Sequence, residues 1–245
     1  MDRIEKLQKM IDEASNIVFF GGAGVSTESG VPDFRSTDGL YYQQFDYPPE
    51  QILSHSFFVQ NPKYFFDFYR KKILCPDAQP NPAHIALARL EAAGKLSAVI
   101  TQNIDGLHQL AGSRNVLELH GTVHKNHCTR CGKSFSLSYI QNTSDVPRCS
   151  CGGIIKPDVV LYEESLDSSV LEGSVRAIQR ADMLIIGGTS LVVYPAAGLI
   201  DYFNGKYLVV INKSPTSQDS AADLVISDAI GTTLSKIQIS EKEVL

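Results

Sequence analysis

Two short runs without a single polar side chain constrain this chain most. Ile17-Val-Phe-Phe20 leads into Gly21-Gly-Ala-Gly24, and Met183-Leu-Ile-Ile186 leads into Gly187-Gly-Thr-Ser190. A strand with one wet face alternates apolar and polar residues; an unbroken apolar run calls for burial on both faces. Further strands are expected at Ala98–Thr101, Val116–His120, Val159–Leu161, Leu208–Ile211 and Leu224–Ile226. Helices are expected between them. Ile4, Leu7, Ile11 and Ala14 recur at helical spacing over 3–15, and Asn81-Pro82 opens a helix that Gly94 stops. Helices over 167–181 and 195–204 complete the set. Strands alternating with helices predict a Rossmann-like, doubly wound parallel sheet of the α/β class, with ligands at the carboxyl ends of its strands.

Two stretches interrupt this rhythm. Residues 38–80 are rich in Phe and Tyr and broken by prolines, which predicts a helical insertion with a helix over about 62–74. Residues 121–157 carry four of the five cysteines as Cys128-x2-Cys131-x17-Cys149-x-Cys151. The expected organisation is a Rossmann-like domain of 1–37, 81–120 and 158–245, with 38–80 and 121–157 forming a small domain. The charged start, Met1-Asp-Arg-Ile-Glu-Lys, is unlike a signal peptide, so the cytoplasm is the expected compartment. Paired cysteines in that compartment point to metal rather than disulfides. Four thiolates fill a tetrahedron around Zn and leave no open position, so the site is expected to be structural. Gly132, Gly152 and Gly153 suit the tight knuckles, and His124 and His127 are spare donors that four cysteines make unnecessary.

Charge excludes other classes. Lys and Arg number 22 against 27 Asp and Glu, so direct nucleic-acid binding is not expected. No apolar run approaches the ~18 residues of a membrane span.

The polar motifs follow the predicted strands. Gly22-Ala-Gly24 suits a pyrophosphate or, equally, a plain tight turn; Thr27 stands where a third fingerprint glycine would be. The continuation to Arg35 adds hydroxyls, a carboxylate, Phe34 to stack on a ring and Arg35 to face phosphate. In Thr101-Gln-Asn-Ile-Asp-Gly-Leu-His108, Asn103 and Asp105 lie two apart, so on extended chain both enter one pocket and can bind a carboxamide. Taken locally, an Asx-type helix cap is the better reading of Asp105. His120-Gly121 ends a strand, and Asn212 closes another, where an amide can bond ribose hydroxyls.

Together, Gly-Ala-Gly-Val-Ser-Thr-x-Ser-Gly-Val-Pro-Asp-Phe-Arg, Thr-Gln-Asn-Ile-Asp-Gly-Leu-His, His-Gly, the four cysteines and Gly-Thr-Ser-Leu-x-Val-x-Pro resemble the sirtuins, NAD-dependent protein-lysine deacylases. The resemblance runs from about residue 15 to 230 and is strongest to bacterial catalytic cores. It implies that Ala23, Thr27, Phe34 and Arg35 lie along NAD, and that Gln102 and His120 line the nicotinamide ribose. It assigns Asn103, Ile104 and Asp105 to the nicotinamide pocket. Thr189, Ser190, Asn212, Lys213, Ala229 and Ile230 would hold the adenosine half. The implied reaction removes an acetyl group from lysine. The acyl oxygen attacks the ribose carbon that bears nicotinamide, and His120 acts as general base, with Asn103 as its catalytic companion. Nicotinamide and 2′-O-acetyl-ADP-ribose are the products, and NAD is a co-substrate. Desuccinylation, demalonylation and mono-ADP-ribosylation are the alternatives that use the same first step.

The resemblance also implies an acetyl-lysine peptide bound as an added strand between 160–164 and 192–195. Leu161-Tyr-Glu-Glu164 departs from the usual Phe-Gly-Glu ending, and Glu163 in place of glycine suggests a preference for basic flanking residues. Relatives that prefer succinyl or malonyl groups carry Tyr-x-x-Arg; here Tyr69 is followed by Lys72, which lacks the bidentate fork and favours acetyl.

Overall fold

The computed structural model describes residues 2–34 and 39–239. Nine strands occur among them: β1 Ile17–Gly21, β2 Leu96–Thr101, β3 Val116–Glu118, β4 Gly121–Cys128, β5 Ser134–Ser136, β6 Ile155–Val159, β7 Met183–Gly187, β8 Tyr207–Ile211 and β9 Leu224–Ile226. Six form a parallel sheet in the order β3-β2-β1-β7-β8-β9. Every residue of β1 and β7 is buried, as their unbroken apolar runs require. The chain order reverses between β1 and β7, and such a switch point opens a crevice at the strand ends.

Two cores cover the faces of this sheet. One gathers Leu7 and Ile11 of the helix Arg3–Glu13, Leu87 and Leu90 of the helix Pro82–Ala92, and Phe19, Val99, Ile185 and Val209 of the strands. The other gathers Ile178 of the helix Ser168–Arg180 with Phe20, Ile100, Leu184, Ile186 and Val210. Successive strand residues point to opposite faces, which is why Phe19 and Phe20 serve different cores. Asp2 and Asn81 each cap their helix through a capping box, and Gly94 lies just past the second helix at φ +72°.

The other three strands form an antiparallel sheet in the order β5-β4-β6. This corrects the expected Val159–Leu161 strand. The segment is extended earlier, over Ile155–Val159, and it pairs with β4 rather than joining the parallel sheet. The cause is local: the turn at Gly152 and Gly153 folds the chain back onto β4 before it reaches the main sheet. The aromatic stretch folds as short helices Pro49–Ile52, His55–Gln60 and Pro62–Phe68. The helix expected over 62–74 is α-helical only to Phe68 and continues as a wider π turn, Tyr69–Ile73. The one expected at 195–204 is a 3-10 helix, Ala196–Tyr202. Phe57, Phe58, Phe65, Phe66 and Tyr69 pack with Cys128, Cys149 and Ile155 in a third core shared by the aromatic helices and the antiparallel sheet. No described helix is long and apolar enough to cross a membrane.

Candidate active site and metal centre

The glycine turns after β1 and β7 touch. The Gly24 N–H donates to the Gly188 carbonyl at 2.8 Å. A Cβ on Gly24 would sit 2.8 Å from Gly188 Cα, and one on Gly188 (φ +58°) would sit 2.3 Å from the Val25 nitrogen. Two turns far apart in sequence therefore form one backbone-lined floor. Above it opens a cavity of about 1170 Å³, somewhat larger than the roughly 300–1,000 Å³ of small-molecule sites.

The cavity wall collects the predicted residues. Ala23, Thr27 and Phe34 line it after β1; Gln102, Asn103, Ile104 and Asp105 after β2; His120 after β3. Thr189 and Ser190 follow β7, Asn212 and Lys213 follow β8, and Ala229 and Ile230 close the far end. Arg35 lies outside the described residues. The Ala229–Ile230 end is clipped to the first glycine turn, because Glu28 Oε2 accepts the Gly231 N–H at 2.6 Å.

Hydrogen bonds fix the chemistry of the wall. The His120 Nδ1–H donates to the Gln102 carbonyl at 3.0 Å, which leaves Nε2 as the basic nitrogen. Burial pushes its pKa below the ordinary imidazole value, against that bond, so the ring is neutral near pH 7. Gln102 is anchored in turn: its Nε2 donates to Thr189 Oγ1 at 3.0 Å. The Gly121 turn that presents the ring has φ +74°, and a Cβ there would collide with the Asp158 carbonyl. Only glycine fits.

Asn103 is buried, and its Nδ2 donates to Ser26 Oγ at 3.0 Å. The Ser26 hydroxyl in turn donates to Asp105 Oδ2 at 2.7 Å. Asp105 thus does two things: Oδ1 caps the Leu107 N–H at 2.9 Å, while Oδ2 holds Ser26. The helix cap and the pocket residue are one side chain. Sequence reading missed Ser26 as the bridge. Its hydroxyl stands in the Gly24–Arg35 stretch, but nothing in that stretch says that it meets residues 77 and 79 positions away.

Segment 160–164 borders the same cavity, as do Val193, Tyr194 and Pro195. One edge of the first segment is already taken. The Tyr162 N–H donates to the Leu53 carbonyl, and its own carbonyl accepts the His55 N–H, both at 3.0 Å. The Glu163 carboxylate accepts from the Ser56 N–H and hydroxyl at 2.9 and 2.6 Å. Those bonds hold its pKa below the usual carboxylate range, so it stays charged.

At the opposite end of the antiparallel sheet the four cysteines converge. Their Sγ atoms all lie within 4.8 Å of one another, and none is in a disulfide. Cys128 and Cys151 Sγ are 3.4 Å apart, and Cys131 and Cys149 Sγ 3.7 Å. A tetrahedron with Zn–S bonds of ~2.3 Å has edges of about 3.8 Å, so the donor set fits zinc. Backbone N–H groups favour thiolates, that of Cys131 at Cys128 and that of Cys151 at Cys149, and both pKa values fall below the thiol norm. Gly153 makes room, since a Cβ there would lie 2.6 Å from Cys128 Sγ. The spare donors are engaged elsewhere. His124 Nε2 donates to the Asp105 carbonyl at 2.9 Å, and His127 contacts Asp158.

Fold and site together define a dinucleotide-type α/β protein with a closed four-thiol metal centre. A model of the Sir2 family matches residues 22–195. The chain belongs to the Sir2 family. It is 61% identical over 241 residues to an NAD-dependent protein deacetylase of Clostridium acetobutylicum, covering 97% of this chain and 98% of that one. It is 45% identical to an NAD-dependent protein deacetylase of Staphylococcus aureus, covering 92% and 93%. A solved structure of Sir2 with p53 peptide and NAD+ superposes with a TM-score of 0.83 at 38% identity, covering 96% of each chain. One of Sir2 with deacetylated p53 peptide and 3′-O-acetyl-ADP-ribose gives 0.88 at 37% identity, covering 94% and 95%.

Proposed function

We propose that this protein is an NAD-dependent protein-lysine deacetylase acting in the cytoplasm. The observation that carries the reading is His120: a neutral, desolvated imidazole with Nδ1 committed to the Gln102 carbonyl, on the same cavity wall as Asn103 and Asp105. Binding alone requires no base. NAD supplies a ribose carbon with nicotinamide as leaving group. The touching glycine turns offer backbone N–H groups to its phosphates, with Phe34 stacking nearby; Arg35 is the cation assigned to them by sequence. Asn103, held by Ser26, presents its amide to the carboxamide, while Asp105 fixes the loop and Ile104 walls the pocket. His120 Nε2 takes a proton from a ribose hydroxyl and later returns it. Gln102, Thr189, Ser190, Asn212, Lys213, Ala229 and Ile230 position the remainder. Zinc, held by Cys128, Cys131, Cys149 and Cys151, locks the two knuckles together and takes no part in the reaction.

Residues 1–37, 81–120 and 158–245 form the NAD-binding domain in this reading, and 38–80 with 121–157 the small domain. Acetyl-lysine peptides add as a strand between 160–164 and 192–195. Incubation with NAD and an acetyl-lysine peptide should release nicotinamide and free lysine peptide, followed by mass. His120→Ala should lower the rate at least about a hundredfold with zinc content unchanged; an unaffected rate overturns the role of His120. Acetyl is the favoured acyl group because Lys72 is already committed. Its Nζ donates to Gln43 Oε1 at 3.0 Å and lies 5.5 Å from the Phe45 ring centre. A faster initial rate on the matched succinyl peptide would refute that preference.

A further inference from the structure

Tyr162 stands where the family pattern has phenylalanine, and its added hydroxyl has a partner. The Tyr41 and Tyr162 hydroxyls meet at 2.8 Å, and both residues line the cavity. The two ends of this bond belong to different parts of the site. Tyr162 is a fixed post, because its backbone N–H and carbonyl are both bonded, to Leu53 and His55. Tyr41 belongs to the cofactor side: its N–H donates to the Phe34 carbonyl at 3.0 Å, and its ring packs on the Phe34 ring with centres 5.6 Å apart. Leu40 repeats the pairing, donating its N–H to the Asp33 carbonyl at 3.0 Å. Tyr41 and Phe34 are therefore joined by both backbone and ring. On the other flank, Gln43 is held by Lys72 at 3.0 Å.

We infer that Tyr162 is a positioning residue for NAD, acting through Tyr41 on Phe34. The hydroxyl pair ties the segment proposed to seat the peptide to the segment proposed to stack on the cofactor. The bond spans the cavity rim without filling it, since about 1170 Å³ stays open with the pair formed. It can hold the Phe34 segment in place while the site is occupied. A phenylalanine at position 162 keeps the ring and loses the tie.

The inference rests on the NAD-binding reading, and a double-mutant cycle separates the two. NAD Kd by calorimetry and NAD KM with an acetyl-lysine peptide are measured for the wild type, Tyr41→Phe, Tyr162→Phe and the double variant. One part-exposed hydrogen bond is worth about a two- to tenfold change. Each single variant is expected to weaken NAD by that factor in both Kd and KM. The double variant should be no weaker than the worse single one, because both remove the same bond. Unchanged Kd and KM in the singles, effects that multiply in the double, or a fall confined to kcat would each overturn the tie. A wild type that binds NAD but leaves acetyl-lysine intact would defeat the deacetylase reading, and the Kd cycle would still decide the tie. A wild type that does not bind NAD defeats both. Matching circular dichroism across the four proteins checks that the fold is unchanged.

Discussion

The two sheets are held together by different means. In the parallel sheet, β1 and β7 are buried throughout, and apolar side chains from helices close both faces. The antiparallel sheet is shorter and wetter: β5 has exposed residues at both ends, and β6 alternates buried with half-buried positions. It has too little apolar area to close itself. It leans on the aromatic helices along one side and on the cysteine cluster at its tip. One half of the molecule is built to stand without a ligand, and the other is built around one. Yet the two meet at the pocket. The Val123 N–H donates to the Ile104 carbonyl at 3.0 Å, and His124 Nε2 to the Asp105 carbonyl, so the antiparallel sheet buttresses the Asn103–Asp105 loop.

Metal removal is the strongest test of that contrast. A chelator, or Cys131→Ser, should abolish zinc binding and strip hydrogen-exchange protection from β4, β5 and β6 while β1, β2 and β7 keep theirs. Deacetylation should be lost with it, because the Asn103–Asp105 loop loses its buttress. Uniform loss of protection in both sheets would show that the halves are one cooperative unit and break the comparison.

Acid should attack the other half. His84 and His108 are buried with ring centres 4.7 Å apart, His108 packs on Phe19, and among the described residues neither His108 nitrogen has a hydrogen-bond partner. Burial pushes the pKa of His108 down to about 3 and lowers that of His84. The unfolded chain takes up these protons near pH 6.5, whereas the folded one does not. Stability is therefore full above pH 6.5 and falls as pH drops below it, continuing toward about 3 for His108, at up to ~1.4 kcal/mol per pH unit for each ring. Urea melts of wild type and His108→Leu between pH 7.5 and 5 check this, and the variant should show the shallower slope. Equal slopes would mean that His108 takes up no extra proton on unfolding.

The same division governs what could be read from sequence. Ile17–Phe20 and Met183–Ile186 announce buried strands because unbroken apolar runs fit no other place, and they anchor the parallel sheet as expected. The cysteine spacing announces a metal tetrahedron because thiolate geometry is strict. The strand at Ile155–Val159 was misplaced because its partner, β4, is chosen by the knuckle at Gly152 and Gly153 rather than by hydrophobic period. The π turn at Tyr69–Ile73 is likewise set by packing, since its residues read as ordinary helix. Ser26 was invisible as a bridge because long-range pairing leaves no local trace. The polar wall was legible where each residue directly follows a strand; links between loops, such as Glu28 to Gly231, were not.

The smallest expected effect lies on the seam between the halves. Glu163 adopts φ +75°, a left-handed conformation that side chains resist, in the position where the family pattern carries glycine. Its carboxylate is anchored by Ser56, at the start of the helix His55–Gln60. Glu163→Gly relieves the backbone and forfeits those bonds, so the two changes oppose each other and the melting temperature should move little. The charge is what changes. Glu163 lines the cavity rim ionised, and an exposed carboxylate of this kind can favour a cationic neighbour on the peptide by at most about fivefold. Wild type should therefore turn over acetyl-lysine peptides with Arg or Lys flanks faster than matched ones with Asp or Glu, and Glu163→Gly should narrow the ratio. Salt should narrow it too, because an exposed charge is screened. A ratio near one in the wild type would mean that Ser56 holds the carboxylate out of reach of the peptide, leaving Glu163 as a structural clip between segment 160–164 and the aromatic helices.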